Sequence, residues 1–195
     1  MSLLESIRAK KEGLKLTETL ITHVDGRRFK ETKDSTTEVV KSRYGYVVDT
    51  KPDDVPAEVL PFLYLGSQDC CDECVLRKYD LTCVLSVGIE APVRYSGITY
   101  KYITCLDLPE TDLESTLKEC IPFVQQAKCQ NRNVLVHCNA GVSRSASVII
   151  GYLILVEGYS YVEAYDIVKT ARNCIKPNTG FEKQLRCLSS SKIFF

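Results

Sequence analysis

Apolar residues fall into two textures along this chain. From Pro56 onward they come in short dense runs, VLPFLYLGS, LTCVLSVG, ITYKYITCLDL and VLVHC, most of them bounded by Gly, Pro or Ser, which is the pattern of strands. ITYKYI alternates as a half-exposed strand does, whereas the unbroken VLVHC suits a strand buried in the middle of a sheet. Between them, from about Thr116 to Lys128, the spacing turns helical and more polar. A start near Lys118 would put Pro122 in the first turn, where its missing N–H is not needed. Ser145 to about Glu157 is apolar nearly all round and predicts a helix buried on most sides. Ser160-Tyr-Val-Glu163 reads as a capping box opening a second helix, with Val162, Tyr165, Ile167 and Val168 facing inward. Thr179-Gly-Phe-Glu182 opens a third, with Phe181, Leu185 and Leu188 at helical spacing. Strand alternating with helix predicts an α/β fold: a central mixed, mostly parallel sheet flanked by helices on both faces.

Before Pro56 the texture differs. Residues 1–54 are rich in Lys, Glu, Asp and Thr, with apolar residues too sparse for a core of their own. They predict an N-terminal extension, followed by a folded domain over 55–190 and a short tail over 191–195. Within the extension, TLITHV and RRFKET flank Asp25-Gly26, a good two-residue hairpin turn, although a lone hairpin is marginal in water. A mostly disordered tail is the competing expectation. The full 195 residues suit one well-buried domain and this extension, not two ordinary domains.

Charge changes the picture by exclusion. Lys and Arg number 25 and so do Asp and Glu, so no bulk field draws the chain to nucleic acid or an anionic membrane. The longest apolar run, Val148 to Val156, is interrupted by Gly151 and too short for a span, and the opening MSLLESIRAKKEG carries no secretory pattern. A soluble cytoplasmic protein with possible nuclear access is expected. Ten cysteines in such a setting are expected to be thiols. Cys70, Cys71 and Cys74 form the tightest group, but no second pair follows at ligand spacing and His occurs only at 23 and 137. Neither a metal nor a cofactor is expected.

The chemistry concentrates between Val134 and Ser145. There a strand, a short loop and a helix start place five residues between Cys138 and Arg144. Such a loop can turn the successive amides of Asn139, Ala140, Gly141, Val142 and Ser143 inward as a nest for a tetrahedral dianion, reinforced by the helix dipole. Gly141 permits the curl. Arg144 closes the ring with a planar fork that grips two phosphate oxygens. The same surroundings favour a thiolate at Cys138, ready to act as a nucleophile. His137 points to the opposite face of its strand, so it reads as a buried orienting residue rather than a general base. Ser145 either hydrogen-bonds the sulfur or caps the helix. Expelling an alkoxide from phosphorus needs a proton donor; Asp107 is the candidate, with Glu110 and Asp112 competing by position, Asp112 equally suited to a helix start.

On these residues the chain resembles the dual-specificity branch of the protein tyrosine phosphatases, whose signature is His-Cys, five residues, Arg, then Ser or Thr. His137, Cys138, Gly141, Arg144 and Ser145 match it in place, and the resemblance covers about residues 56 to 190. It implies a cysteinyl-phosphate mechanism without metal, and a supporting asparagine at Asn178 that braces the phosphate loop. The family's general acid lies some thirty residues ahead of the cysteine, and Asp107 stands 31 ahead of Cys138, which favours it over Asp112. LDLPET and HCNAGVSR are most similar to small atypical phosphatases that regulate stress-activated kinase pathways, which implies phosphoproteins as partners, MAP kinases or their upstream kinases among them.

Departures narrow the substrate. With no Trp in the chain, the acid loop of the classical tyrosine phosphatases is missing. The short domain implies a shallow pocket open to phosphoserine and phosphothreonine as well as phosphotyrosine. Asn139 to Ser143 carry no Lys or Arg, unlike the basic loops of inositol-lipid phosphatases, which favours protein substrates. Two rivals remain at this level: a kinase-binding scaffold with the same fold and little catalysis, and a sulfurtransferase with its cysteine in a similar loop. Oxidation is expected to act through Cys138, with Cys83 as one conceivable partner.

Overall fold

The computed structural model describes strand backbone over 19–22, 28–32 and 35–38, and residues 53–188. Two compact units divide the chain, 1–51 and 52–195. The first holds an antiparallel three-stranded sheet, β1 (Thr19–Thr22), β2 (Arg28–Thr32) and β3 (Ser35–Glu38), in the order β1-β2-β3. The expected hairpin is present as the β1–β2 pair, with Thr22 opposite Arg28; its turn at Asp25-Gly26 lies outside the described residues. β3 was not foreseen: Ser35–Glu38 has no apolar alternation to mark it.

The second unit is built on five strands, β4 (Ala57–Leu60), β5 (Leu63–Gly66), β6 (Leu81–Val87), β7 (Thr99–Ile103) and β8 (Asn133–His137), ordered β4-β5-β8-β6-β7. β8 is central and pairs in parallel with β5 and β6, and β7 runs parallel to β6. Only β4 is antiparallel, which makes the sheet mixed and mostly parallel as expected. VLPFLYLGS does not form one strand. Pro61 and Phe62 make a tight turn that folds it into the β4–β5 hairpin, since proline has no N–H to give an internal ladder.

Alternation sends side chains to two cores. Leu63, Leu65, Leu85, Val134 and Val136 face α2 (Leu113–Cys129), α3 (Arg144–Leu155), α4 (Tyr161–Ala171) and α5 (Thr179–Arg186). Tyr64, Val84 and Leu135 face the smaller α1 (Glu73–Lys78) and the 3₁₀ turn Gln68–Cys71 before it. α1 and that turn, packed through Cys70, Cys71, Val75 and Leu76, escaped the sequence reading because they are only six and four residues long.

Helix boundaries moved where caps decide them. α2 begins at Leu113, not Lys118, because the Asp112 carboxylate accepts from the Ser115 amide. Pro122 therefore lies inside the helix. It leaves the Lys118 carbonyl without its usual donor, and one residue on, the Lys101 Nζ donates to the Glu119 carbonyl at 2.6 Å. α4 has the expected Ser160/Glu163 capping box. α5 is capped by Asn178 rather than Thr179: the Asn178 Oδ1 accepts from the amides of Gly180 and Phe181. α3, apolar all round, is buried along its length from Ser145 to Leu155.

Candidate active site

The site lies beyond the C-terminal end of β8, where parallel α/β sheets leave a crevice. β8 ends at His137, Cys138 follows, and α3 begins at Arg144. The intervening loop is held from outside through its carbonyls. Asn139 O accepts from the Gln68 amide at 3.0 Å, and Val142 O from the Lys176 amide at 2.9 Å. Ala140 O and Gly141 O accept from Nη2 and Nε of Arg172, each at 3.0 Å. Because a trans peptide sets its N–H opposite its C=O, four outward carbonyls aim the amides of Ala140, Gly141, Val142 and Ser143 inward. This is an anion nest made by external grips. Gly141 has φ +64°, and a Cβ there would lie 2.6 Å from the Gly66 carbonyl oxygen, so only glycine fits.

At the floor of the nest sits Cys138, buried, with the Ser145 hydroxyl donating to its Sγ at 3.1 Å. Of the two readings left open for Ser145, the geometry has the hydroxyl on the sulfur; the helix N-cap is Ser143, which makes no side-chain cap bond. Arg144 starts α3, and its Nε is buried without a partner. Buried donors are almost always satisfied, so a guanidinium N–H with no hydrogen bond inside the protein, beside a ring of amides, suits an anionic ligand. Gly88 (φ +74°) gives the arginine room: a Cβ on it would meet Arg144 Nη1 at 2.5 Å and the Cys105 carbonyl at 2.1 Å.

Asp107 hangs over the nest from the loop after β7. Its Oδ1 accepts from the Ser143 hydroxyl at 2.6 Å and from Asn178 Nδ2 at 2.8 Å. The Asn178 amide in turn donates to the Ser143 hydroxyl at 3.1 Å. Two donors already engage Oδ1, which leaves Oδ2, 3.8 Å from Arg144 Nε, as the open oxygen. Asp112 is spent as the α2 cap, and hydrogen bonds from Ser115 lower its pKa. Asn178 braces Asp107 and Ser143 and caps α5.

His137 faces away from the nest. Its Nε2 lies 2.7 Å from Ser86 Oγ on β6 and its Nδ1 3.4 Å from the Cys138 carbonyl, so the neutral ring donates to that carbonyl and accepts from Ser86. Burial, and behind it the Arg144 charge, pulls its pKa down to about 4 despite the opposing bond to Cys138 O. Cys83 is no partner for Cys138. It sits opposite Val134, four residues back along β8 or about 13 Å at the rise of a strand, beyond disulfide reach. All ten cysteines are unpaired, and among the described residues no three His, Cys, Asp or Glu side chains gather as a metal site.

Arg172, Gln68 and Gly88 were missed from sequence. An arginine at the end of an amphipathic helix reads as surface, and nothing in its neighbours announces that its guanidinium is buried against a loop 30 residues earlier.

A cysteine under a ring of inward amides, an arginine closing that ring, and a central parallel strand feeding both define a cysteine-dependent phosphatase of the protein tyrosine phosphatase class. Comparison with known proteins agrees. The family "Dual specificity phosphatase, catalytic domain" matches residues 63–190, and the chain belongs to it. It is 40% identical to mouse dual specificity protein phosphatase 19 over 98% of this chain and 91% of the relative. The "mouse putative dual specificity phosphatase complexed with zinc tungstate" shares 30% identity, with a TM-score of 0.65 over 73% of this chain and 89% of that one. Human tyrosine phosphatase-like serine/threonine/tyrosine-interacting protein shares 29%, with a TM-score of 0.63 over 67% and 93%. The chain is thus a dual-specificity protein phosphatase, and its substrates are phosphoproteins.

Proposed function

We propose that this chain hydrolyses phosphotyrosine and phosphoserine/phosphothreonine through a cysteinyl-phosphate on Cys138, on a protein of a MAP kinase pathway or one of its upstream kinases. The observation that carries the chemistry is the unpartnered Arg144 Nε beside four inward amides, a donor set made for three equatorial phosphate oxygens. The tungstate in the similar mouse structure is a tetrahedral oxyanion, in keeping with that set.

The Cys138 thiolate attacks phosphorus in line with the leaving oxygen, so an S–P bond forms as the P–O bond breaks. The proton on Asp107 Oδ2 passes to the departing oxygen. Water then attacks phosphorus, Asp107 takes its proton back, and the S–P bond breaks. The electron pair returns to sulfur, where the Ser145 hydroxyl donates to the re-formed thiolate. Arg144 and the amides hold the oxygens throughout. The pathway assignment rests on similarity of LDLPET and HCNAGVSR to the stress-kinase-regulating branch.

Turnover tests the chemistry. The parent chain should hydrolyse para-nitrophenyl phosphate and a doubly phosphorylated Thr/Tyr peptide, and Cys138→Ser should not. Equal rates would overturn the mechanism. The pathway is tested by substrate trapping with Cys138→Ser in cells, with captured phosphopeptides identified by mass spectrometry; absence of kinases from the catch would reject it. A second reading, a kinase-binding scaffold, has in its favour the similar human protein whose name is "phosphatase-like" and "interacting". It predicts a kinase complex that survives loss of Cys138 activity and of phosphate.

A further inference from the structure

We propose that Asp53, ten residues ahead of the region matched by the family, is a positioning residue for the phosphate nest, acting through Arg172. Arg172 is buried, 8% exposed, and spends Nε and Nη2 on the Gly141 and Ala140 carbonyls. Its charge is matched by one carboxylate, Asp53, which takes Nη1 at 3.4 Å and Nη2 through Oδ2. A buried guanidinium without a counter-charge would draw water or swing outward, and either would free the two carbonyls it holds. Releasing them lets the 140–141 and 141–142 peptides rotate, and with them the Gly141 and Val142 amides that face the anion.

Asp53 is itself clamped, which separates it from a surface ion pair. Its amide donates to Asp69 Oδ2 at 3.0 Å, and its carbonyl accepts from Ser67 Oγ at 2.8 Å and Cys70 Sγ at 3.2 Å. Ser67 and Asp69 flank Gln68, whose amide holds the Asn139 carbonyl. One residue thereby ties together the supports of Asn139, Ala140 and Gly141. Asp53 is the second residue of the 52–195 unit, and two contacts, Asp53 to Arg172 and Arg172 to the Ala140 carbonyl, connect it to the nest.

The proposal rests on the phosphatase reading. Turnover of para-nitrophenyl phosphate by the parent chain tests that reading alone, whereas the ratio of variant to parent tests Asp53. In the full chain, Asp53→Asn should weaken inorganic tungstate binding, read by calorimetry per folded molecule, by about tenfold or more, with a parallel fall in kcat/KM. A purely structural role would lower Tm and leave the tungstate Kd per folded molecule alone. Because the effect runs through Arg172, the losses of Asp53→Asn and Arg172→Lys should not add in the double variant. A tungstate Kd equal to the parent's, or additive losses, would overturn the proposal. Should Asp53→Asn fail to fold, Asp53→Glu carries the test: moving the carboxylate by one methylene should raise the Kd by about threefold. An unchanged Kd there would overturn it equally.

Discussion

The two oxygens of Asp107 are not equivalent, and that asymmetry suits the acid role proposed for it. With Ser143 and Asn178 both donating to Oδ1, Oδ2 is the oxygen left open toward Arg144 and the nest. Asp107→Asn should slow turnover of peptide phosphates by about 10² to 10⁴ while tungstate still binds as in the parent. Asp112→Ala should instead cost about 1 kcal/mol of stability through the lost α2 cap and leave kcat alone. The opposite pattern in steady-state kinetics and denaturant melts would move the acid to Asp112. His137 carries a pH effect of its own. Its unfolded ring takes up a proton near the ordinary 6.5 and the folded ring only near 4, so between those values the unfolded state binds more protons. Stability present above pH 6.5 is lost as pH falls toward 4, by up to about 3 kcal/mol. Melting temperatures across that window should fall more steeply for the parent than for His137→Gln. Parallel curves would show that another group is responsible.

At the scale of elements, the loop that carries Asp107 is set by how α5 docks. A Cβ on Gly180, in the first turn of α5, would lie 1.9 Å from the Pro109 carbonyl oxygen and 2.4 Å from its Cα. Backbone cannot yield as a side-chain tip does, and Pro109 is two residues from Asp107. Gly180→Ala should destabilise by about 1 to 3 kcal/mol and lower kcat on peptide phosphates more than it weakens tungstate, since the acid moves and the nest does not. Tungstate affinity lost with kcat retained would contradict this. The same scale shows what sequence could and could not carry. VLVHC was legible as the buried central strand because an unbroken β-branched run has few other uses, and Ser160 to Glu163 because a capping box is a local motif. Pro61 was passed over inside an apolar run and proved to be a hairpin. Asn178 caps α5 one residue ahead of the Thr179 start that the capping-box reading offered, and Asp112, readable as a helix-start charge, is the α2 cap although spacing put that helix nearer Lys118.

Across the whole molecule, Cys138 and Arg144 were readable because loop length and helix start are contiguous in sequence. Their supports were not. Arg172, Gln68 and Gly88 reach the nest across distant segments, and whether a polar side chain is buried depends on packing that no local pattern records. Ser143 was read for its amide alone, yet its hydroxyl links Asp107 to Asn178. Every contact described for the site arises within residues 53–188, and both hydrophobic cores lie between Leu63 and Leu185 with their packed neighbours. A chain of residues 52–195 should therefore fold and turn over para-nitrophenyl phosphate at a rate close to the full chain. Removing residues 1–53 should cost tungstate affinity as Asp53→Asn does. Equal affinity in the two truncations, measured by calorimetry, would separate the N-terminal junction from the nest.

All of this depends on phosphate passing through sulfur. The direct measurement is an acid quench of the full chain during turnover of a phosphopeptide, followed by peptide mapping under conditions that preserve thiophosphate. The account predicts one phosphoryl group on the peptide carrying Cys138, more abundant in Asp107→Asn if the water step is slowed most, and none in Cys138→Ser. Hydrolysis that continues in Cys138→Ser, or a phosphoryl group found on another residue, would contradict it.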